Sequence, residues 1–327
     1  MEKKFDFKKF LSNNAIIILI ILLALFVGCT TQNFFTETNG KNLLLNVAPR
    51  FIIACGVSGC LITKGTDLSA GRMIGFGACI SGMLLQRMDY SGKFFPDMQP
   101  LNVFVVALIA MLVCAAFGTV TGFFIAYLNV PPFIATLAMM EIVYGIGLIV
   151  TNATPLGGYV EQYTNVSNGK FLGINYLIWI AIIVAAITWF IFNMTRHGKY
   201  MYAIGGNPQA AEVAGVPVKA TLILIYMKAA AMYGLAGFML GAKAGGASVQ
   251  TGYGYEMEAI AACTIGGVSV TGGRGKVSSA IIGVAVFELL KVALQYLGMN
   301  ANAQYIAIGV VIFIAISLDI RKYIARK

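Results

Sequence analysis

Four stretches of this chain carry no charged side chain: Phe10–Thr36, Leu101–Met140, Phe171–Thr195 and Val292–Leu318. A bilayer core about 30 Å thick is crossed by roughly 20 helical residues, so each stretch can span it. The Leu101–Met140 run is long enough to cross twice, and Pro131-Pro132 marks the break. With 59% hydrophobic and 11% charged residues and a mean hydropathy of +0.82, the chain cannot hide its apolar side chains in water-soluble cores. The fold class expected is an all-α polytopic membrane protein, one transmembrane unit over residues 1–327.

About ten spans are read, near 15–30, 43–63, 70–87, 101–128, 133–151, 174–194, 219–241, 257–272, 279–297 and 302–319. Those near 70 and 257 are broken by glycine and polar residues, so re-entrant segments and eight crossings are the alternative. With the N-terminus inside, fifteen basic residues fall on cytoplasmic segments: Lys3, Lys4, Lys8, Lys9, Lys64, Arg72, Arg196, Lys199, Lys219, Arg274, Lys276, Arg321, Lys322, Arg326 and Lys327. Only Lys41, Arg87, Lys93, Lys170 and Lys243 fall outside. That bias places both termini in the cytoplasm. It also accounts for the net charge of +10 through inner-leaflet flanks, without a nucleic-acid partner.

The start of the chain resembles a secretory or lipoprotein signal ending at Cys29, but Phe26 fits poorly three places before the cysteine, and a retained first span is expected. The six cysteines lie in apolar segments without CxxC spacing and read as packing residues. A single histidine, His197, and no His/Cys cluster argue against a metal site. "GGRGKVSS" (272–279) fails as a phosphate loop, with Val270 at the first glycine position and Val277 after Lys276. The chain is therefore read as a non-enzyme.

A shift of 208 residues lays "IIACGVSGCLITKG" (52–65) over "IAACTIGGVSVTGG" (260–273), which suggests two related units around 43–128 and 257–319, parallel or inverted. Ionisable groups inside spans are costly and often functional. Arg50, Glu141, Lys228, Glu288 and Lys291 qualify; Glu288 with Lys291, and Arg50 with Glu141, are candidate pairs. Asp67, Arg72, Glu256 and Glu258 sit at span ends, and "YGYEME" (253–258) combines aromatic and hydrogen-bonding groups suited to a polyol or to an interfacial anchor. Candidates for a substrate path are Arg50, Thr66, Asp67, Ser69, Arg72, Glu141, Tyr255 and Glu256.

"AIGGNPQAAEVAGVPV" (203–218) reads as a two-turn helix, capped by Asn207, opened by Pro208 and stopped by Gly215 and Pro217. Such a helix is far too short to hold alone in water. It lies in the one long cytoplasmic loop, 195–219, and its small face (Ala210, Ala211, Ala214) suits a groove on another protein.

Four motifs, "GTDLSAGR" (65–72), "NVPPFIATLAMM" (129–140), "HGKYMYAIGGNPQAAEVAGV" (197–216) and "GYEMEAIAACTIGGVSVTGGRG" (254–275), run in an order that resembles bacterial ABC sugar-importer permeases of the ribose/xylose/galactoside group. Thr66, Ala70 and Arg72 resemble the galactoside branch; Ala138 and Met139 depart from the Gly-Thr common in the group. The resemblance implies an ABC permease fold in the bacterial inner membrane. It implies import of galactose or methyl galactoside, with glucose beside them, and ribose or another pentose as runner-up. It also implies a second permease copy, an ATPase subunit carrying ATP and Mg, and an extracytoplasmic sugar-binding protein; this chain would hold no cofactor. Residues 195–219 then become the coupling loop on the ATPase, with Gly205, Gly206, Asn207, Pro208, Ala210, Ala211, Glu212 and Gly215 as its mechanical residues. An ion-gradient-driven sugar carrier is the alternative from another class.

Overall fold

The computed structural model describes residues 15–324. The cytoplasmic lysines expected at positions 3, 4, 8 and 9, and Arg326 and Lys327, lie outside the described residues. Ten helices follow the expected spans: α1 (Ala15–Thr30), α2 (Glu37–Ile62), α3 (Ala70–Leu84), α4 (Val103–Tyr127), α5 (Pro132–Thr151), α7 (Tyr176–Met194), α10 (Val218–Ala244), α11 (Tyr255–Gly266), α12 (Val277–Tyr296) and α13 (Ala301–Ile324). Three short helices sit in the connections, α6 (Glu161–Asn168), α8 (Arg196–Gly206) and α9 (Pro208–Val213), and a two-strand hairpin, β1 (Lys170–Phe171) with β2 (Ile174–Asn175), follows α6. Seven of these helices are long and apolar enough to cross a membrane; α3 and α11, at 15 and 12 residues, cover only part of one.

Helix starts follow local chemistry. The Thr36, Asn102 and Asn175 side chains accept hydrogen bonds from the backbone N–H of Asn39, Phe104 and Leu177, capping α2, α4 and α7. Inside α2, Pro49 has no N–H to give the carbonyl of Leu45. The Lys243 ammonium donates to that carbonyl instead, at 3.2 Å, tying α2 to the end of α10.

α2 is mostly buried and α13 mostly exposed, so α2, α3, α10, α11 and α12 form an inner group wrapped by the apolar outer faces of α1, α4, α5, α7 and α13. α10 packs closely because Gly234 lets it approach Ala110 of α4 and Gly77 of α3. Val27 and Ala24 of α1 are buried with Val292 and Ala293 of α12, so this segment is part of the bundle.

The ends of the bundle are well marked. Gly273 N–H donates to the Ile62 carbonyl at 2.8 Å and the Tyr202 hydroxyl to the Gly275 carbonyl at 2.8 Å, which gathers residues 62–65, 196–217 and 267–276 at one end, here the loop end. Isolated bridges Gln86↔Tyr159 and Leu156↔Ala247 gather 85–102, 152–175 and 244–247 at the other. Residues 63–84 and 245–266 therefore each run from one end to the other, as an extended stretch followed by a short helix. Neither segment is re-entrant, and the ten-segment reading holds over the eight.

Helix order carries a likeness of its own. α2–α5 read long, short, long, long (26, 15, 25 and 20 residues), and α10–α13 repeat that order (27, 12, 20 and 24). Packing repeats too: α3 and α4 lie on α10, as α11 and α12 lie on α2. α2 and α10 cross antiparallel, with Gly56 on Ala229 and Gly59 on Ile225. The 208-residue shift relates α2 to α11. α2 and α11 run alongside in one direction, and Arg50 meets Glu258, Ala54 meets Cys263 and Ile62 meets Gly273. The matched segments thus pack against each other, where small residues at facing positions allow close contact.

Candidate functional site

At the loop end, the Thr195 hydroxyl accepts from Gly198 N–H at 3.2 Å to start α8, and Asn207 Oδ1 accepts from Ala210 N–H at 3.1 Å to start α9. Pro208 takes the first helical position. Beyond Val213, the N–H groups of Gly215 and Val216 return to the carbonyls of Glu212 and Ala211, with Gly215 at φ +81°, a left-handed stop. The expected short helix is thus present, but it is not held by a partner alone. Ala211 is buried on its own chain, and the Lys64 ammonium donates to the Gly206 carbonyl at 3.0 Å. Gly205 faces inward: a Cβ there would lie 1.9 Å from the Ile62 carbonyl oxygen and 2.6 Å from Gly273 N. It joins the loop to α2 rather than offering a docking surface. Ala210, Glu212, Ala214 and Gly215 face out, with Val213, absent from the expected set, 92% exposed. His197 of α8 is half-buried beside Lys228, and burial followed by that charge holds its pKa down to about 4.

In the middle of the bundle, the starts of α3 and α11 meet. A Cβ on Gly71 would fall 2.1 Å from Glu256 Oε2 and 2.8 Å from the Gly252 carbonyl, so glycine is what allows this approach. Arg72, expected on a cytoplasmic flank, lies here instead. Its guanidinium is sandwiched between the rings of Tyr144 and Tyr253, 3.9 and 4.6 Å from their centroids. Its Nη1 donates to Gln250 Oε1 at 2.8 Å and to the Val249 carbonyl at 3.3 Å; the Gln250 amide donates to the Tyr144 hydroxyl at 3.0 Å. Glu141 stands one turn before Tyr144 near the middle of α5 and is exposed. Tyr253 opens the "YGYEME" stretch (253–258) that the sequence points to, though it is not among the substrate-path candidates; Tyr144 and Gln250 carry no such signal in the sequence.

The first turn of α11 also serves a second cluster. Arg50 Nη1 and Nε reach the Glu288 carboxylate at 3.1 and 2.8 Å, Nε reaches Glu258 at 3.4 Å, and Nη2 donates to the Tyr255 hydroxyl at 3.2 Å. Lys291 donates to both Glu258 oxygens at 2.9 and 3.0 Å. Two cations and two carboxylates close a neutral cluster across α2, α11 and α12. The pairing of Arg50 with Glu141 does not form, because α5 lies on α3 and α4, away from α2. The Glu288–Lys291 contact is the long one, at 3.9 Å; Lys291 prefers Glu258.

Of the remaining candidates, Asp67 and Ser69 are buried and satisfy each other: Asp67 Oδ1 accepts from Ser69 N–H at 3.0 Å and Oγ at 2.6 Å, an Asx turn that shapes the approach to α3. The Thr66 carbonyl accepts from the Thr136 hydroxyl at 3.1 Å. The structure therefore leaves Arg72, Glu141 and, beneath them, Glu256 on one polar face, and assigns Arg50 and Tyr255 to the interior cluster.

The sequence model of a family described as branched-chain amino acid transport system / permease component matches residues 39–316. The chain is 40% identical to the galactose/methyl galactoside import permease protein of Haemophilus influenzae, covering 100% of this chain and 99% of that protein. It is 39% identical, over the same shares, to the protein of that name from Escherichia coli K12. It is 32% identical to the ribose import permease protein of Escherichia coli K12, over 95% of this chain and 94% of that one. No solved structure matches the chain.

Proposed function

The chain belongs to the family of branched-chain amino acid transport system permease components, and from that premise we propose that it carries galactose and methyl galactosides, with glucose beside them, through the bacterial inner membrane. It is a multi-pass permease subunit of an ABC sugar importer. The observation that carries the substrate is the end-to-end likeness to proteins named for galactose/methyl galactoside import, stronger than the likeness to a ribose permease.

In this reading the loop end faces the cytoplasm with both termini, and ATP and Mg bind a separate ATPase subunit. The exposed side of α9 (Ala210, Glu212, Val213, Ala214) docks there, while Gly205, Gly206, Asn207, Pro208, Ala211 and Gly215 set its geometry. An extracytoplasmic binding protein delivers sugar at the other end. The face carrying Arg72 and Glu141 lines the sugar path, with a second copy of the chain completing it. A charged side chain exposed at mid-helix is costly against lipid and at home beside water.

The neutral Arg50 cluster disfavours the ion-gradient alternative, since each carboxylate already has a fixed cation beside it. Reconstitution tests the reading: proteoliposomes holding the permease, the ATPase and the binding protein should import galactose only with ATP. Galactose transport by the permease alone would overturn it.

A further inference from the structure

Two polar atoms beside the Tyr144–Arg72–Tyr253 sandwich have no partner among the described residues. They are the Nε–H of Arg72, a donor, and Oε2 of Glu256, an acceptor, and both are shielded from solvent. Arg72 directs its Nη1 to Gln250 and Val249, and no ion pair joins it to Glu256. Glu256 is 6% exposed and presses against Gly71, the residue next to Arg72. Buried polar groups are almost always paired, so an orphaned donor and an orphaned acceptor where the starts of α3 and α11 meet are open to a ligand's hydrogen bonds. A hydroxyl group is the simplest species that both donates and accepts; it gives its proton to a carboxylate while taking one from a guanidinium N–H.

On the side away from Tyr144, the guanidinium is covered by the 249–254 segment. It places the Tyr253 ring over the guanidinium, and Gly252 and Gly254, at φ +81° and +84°, flank that tyrosine. Tyr253 is largely exposed on its outer side and stands clear of the packed core. Glycines in the left-handed region on both sides give this tyrosine a backbone that can swing without the strain a side chain would add.

We propose that Arg72 and Glu256 form a hydroxyl-reading pair for the sugar in transit, and that the 249–254 segment, with Tyr253, is its movable cover. The inference rests on the sugar-import reading and adds to it a contact point within the membrane. With the cover down, neither atom has a partner among the described residues. Sugar passage requires the cover to lift, and one sugar hydroxyl then bridges the two groups.

The experiment uses the full complex of permease, ATPase and binding protein in proteoliposomes. Sugar-loaded binding protein is kept in excess, so that its own affinity does not enter. The readouts are galactose moved and ATP hydrolysed. Arg72→Lys keeps the charge without Nε, and Glu256→Gln keeps the shape without the charge. Each should lower galactose moved per ATP about 10-fold or more while stimulated hydrolysis stays within about twofold of wild type. Wild-type sugar-to-ATP ratios in both variants would mean that the pair holds only water, and would overturn the proposal.

A second measurement needs no variant. Hydrogen exchange of the wild-type complex should speed up across residues 249–256 during turnover relative to rest; unchanged exchange there would equally overturn it. A wild-type complex that moves no galactose at all would instead refute the sugar reading, so the two failures are distinguishable.

Discussion

Removing the Arg50 guanidinium would leave Glu258 and Glu288 with Lys291 as their one direct ion-pair partner among the described residues, where Glu288 is only 2% exposed. Stripping one partner from a buried ion pair costs about 3–5 kcal/mol, because the remaining charge is uncompensated. Arg50→Met should therefore lower the melting temperature in detergent sharply. Arg50→Met combined with Glu288→Met leaves the Lys291–Glu258 pair at 2.9 Å neutral and intact, and should recover more than half of the loss. A double variant as unstable as the single one would show that charge balance is not what the cluster supplies. The same scale separates two adjacent glycines. At Gly205 a Cβ meets backbone of Ile62 and Gly273, whereas at Gly206 nothing lies within 4 Å. Gly205→Ala should open the loop end to limited proteolysis, and Gly206→Ala should leave the digestion pattern as in wild type. Neither contrast is visible in "AIGGNP", since it depends on what stands across the gap.

At the scale of the element, α9 behaves as a short helix with an anchored inner face and a free outer one. Asn207→Ala removes the cap at a cost of about 1 kcal/mol, and Val213→Asp charges the most exposed apolar position without touching the anchored Ala211. On the coupling reading, Val213→Asp should leave the permease in the membrane and abolish its co-purification with the ATPase in mild detergent; undiminished recovery of the ATPase would remove α9 from the interface. α8 carries a pH signature of its own. His197 protonates at about 4 in the folded chain against an ordinary value of 6.5, so between those values the unfolded chain binds the extra proton. Stability should fall as pH drops from 6.5 towards 4 and stay level above 6.5 on this account. Melting curves at pH 7.5 and 4.5 check it, and His197→Gln should flatten the difference. The cap, the proline and the stop of α9 were legible because they are local: each is a residue type serving a backbone group a few positions away. Which alanine faces inward was not, because Ala210, Ala211 and Ala214 differ only in what the fold sets against them.

Across the whole molecule, the membrane segments could be read from uncharged runs because lipid imposes that pattern on every helix it touches. The likeness of α2–α5 to α10–α13 is not legible in the sequence because it lies in helix lengths and packing partners rather than residues, while the 208-residue likeness falls on two helices lying side by side. On the coupling reading, a mechanical route follows from where these helices lie. α9 continues into α8, whose Gly205 seats on Ile62 of α2 and on Gly273 beyond α11. α2 and α11 are clamped together again by Arg50 and Glu258, and the first turn of α11 presents Glu256 to Arg72's face. On the coupling reading a push on α9 reaches that face through contiguous contacts, from the short connecting helix α8 into the inner helices α2 and α11. On the sugar-path reading, what sets this face apart from a lipid boundary is Glu141, an exposed carboxylate at the middle of a 20-residue helix. Against hydrocarbon a group like that costs about 2.5–3.5 kcal/mol, whereas neighbours on the same helix such as Ile142 and Ile149 suit lipid. The two environments are separable by chemistry. With the exposed Cys29 replaced by serine, the other five cysteines are buried, and a cysteine at position 141 should react with a charged, membrane-impermeant thiol reagent, while one at position 149 should not. Faster reaction at 141 in the presence of ATPase, ATP and loaded binding protein would place it on a route that opens with the cycle. Equal inertness at both positions would put α5 against lipid and move the sugar route to another face.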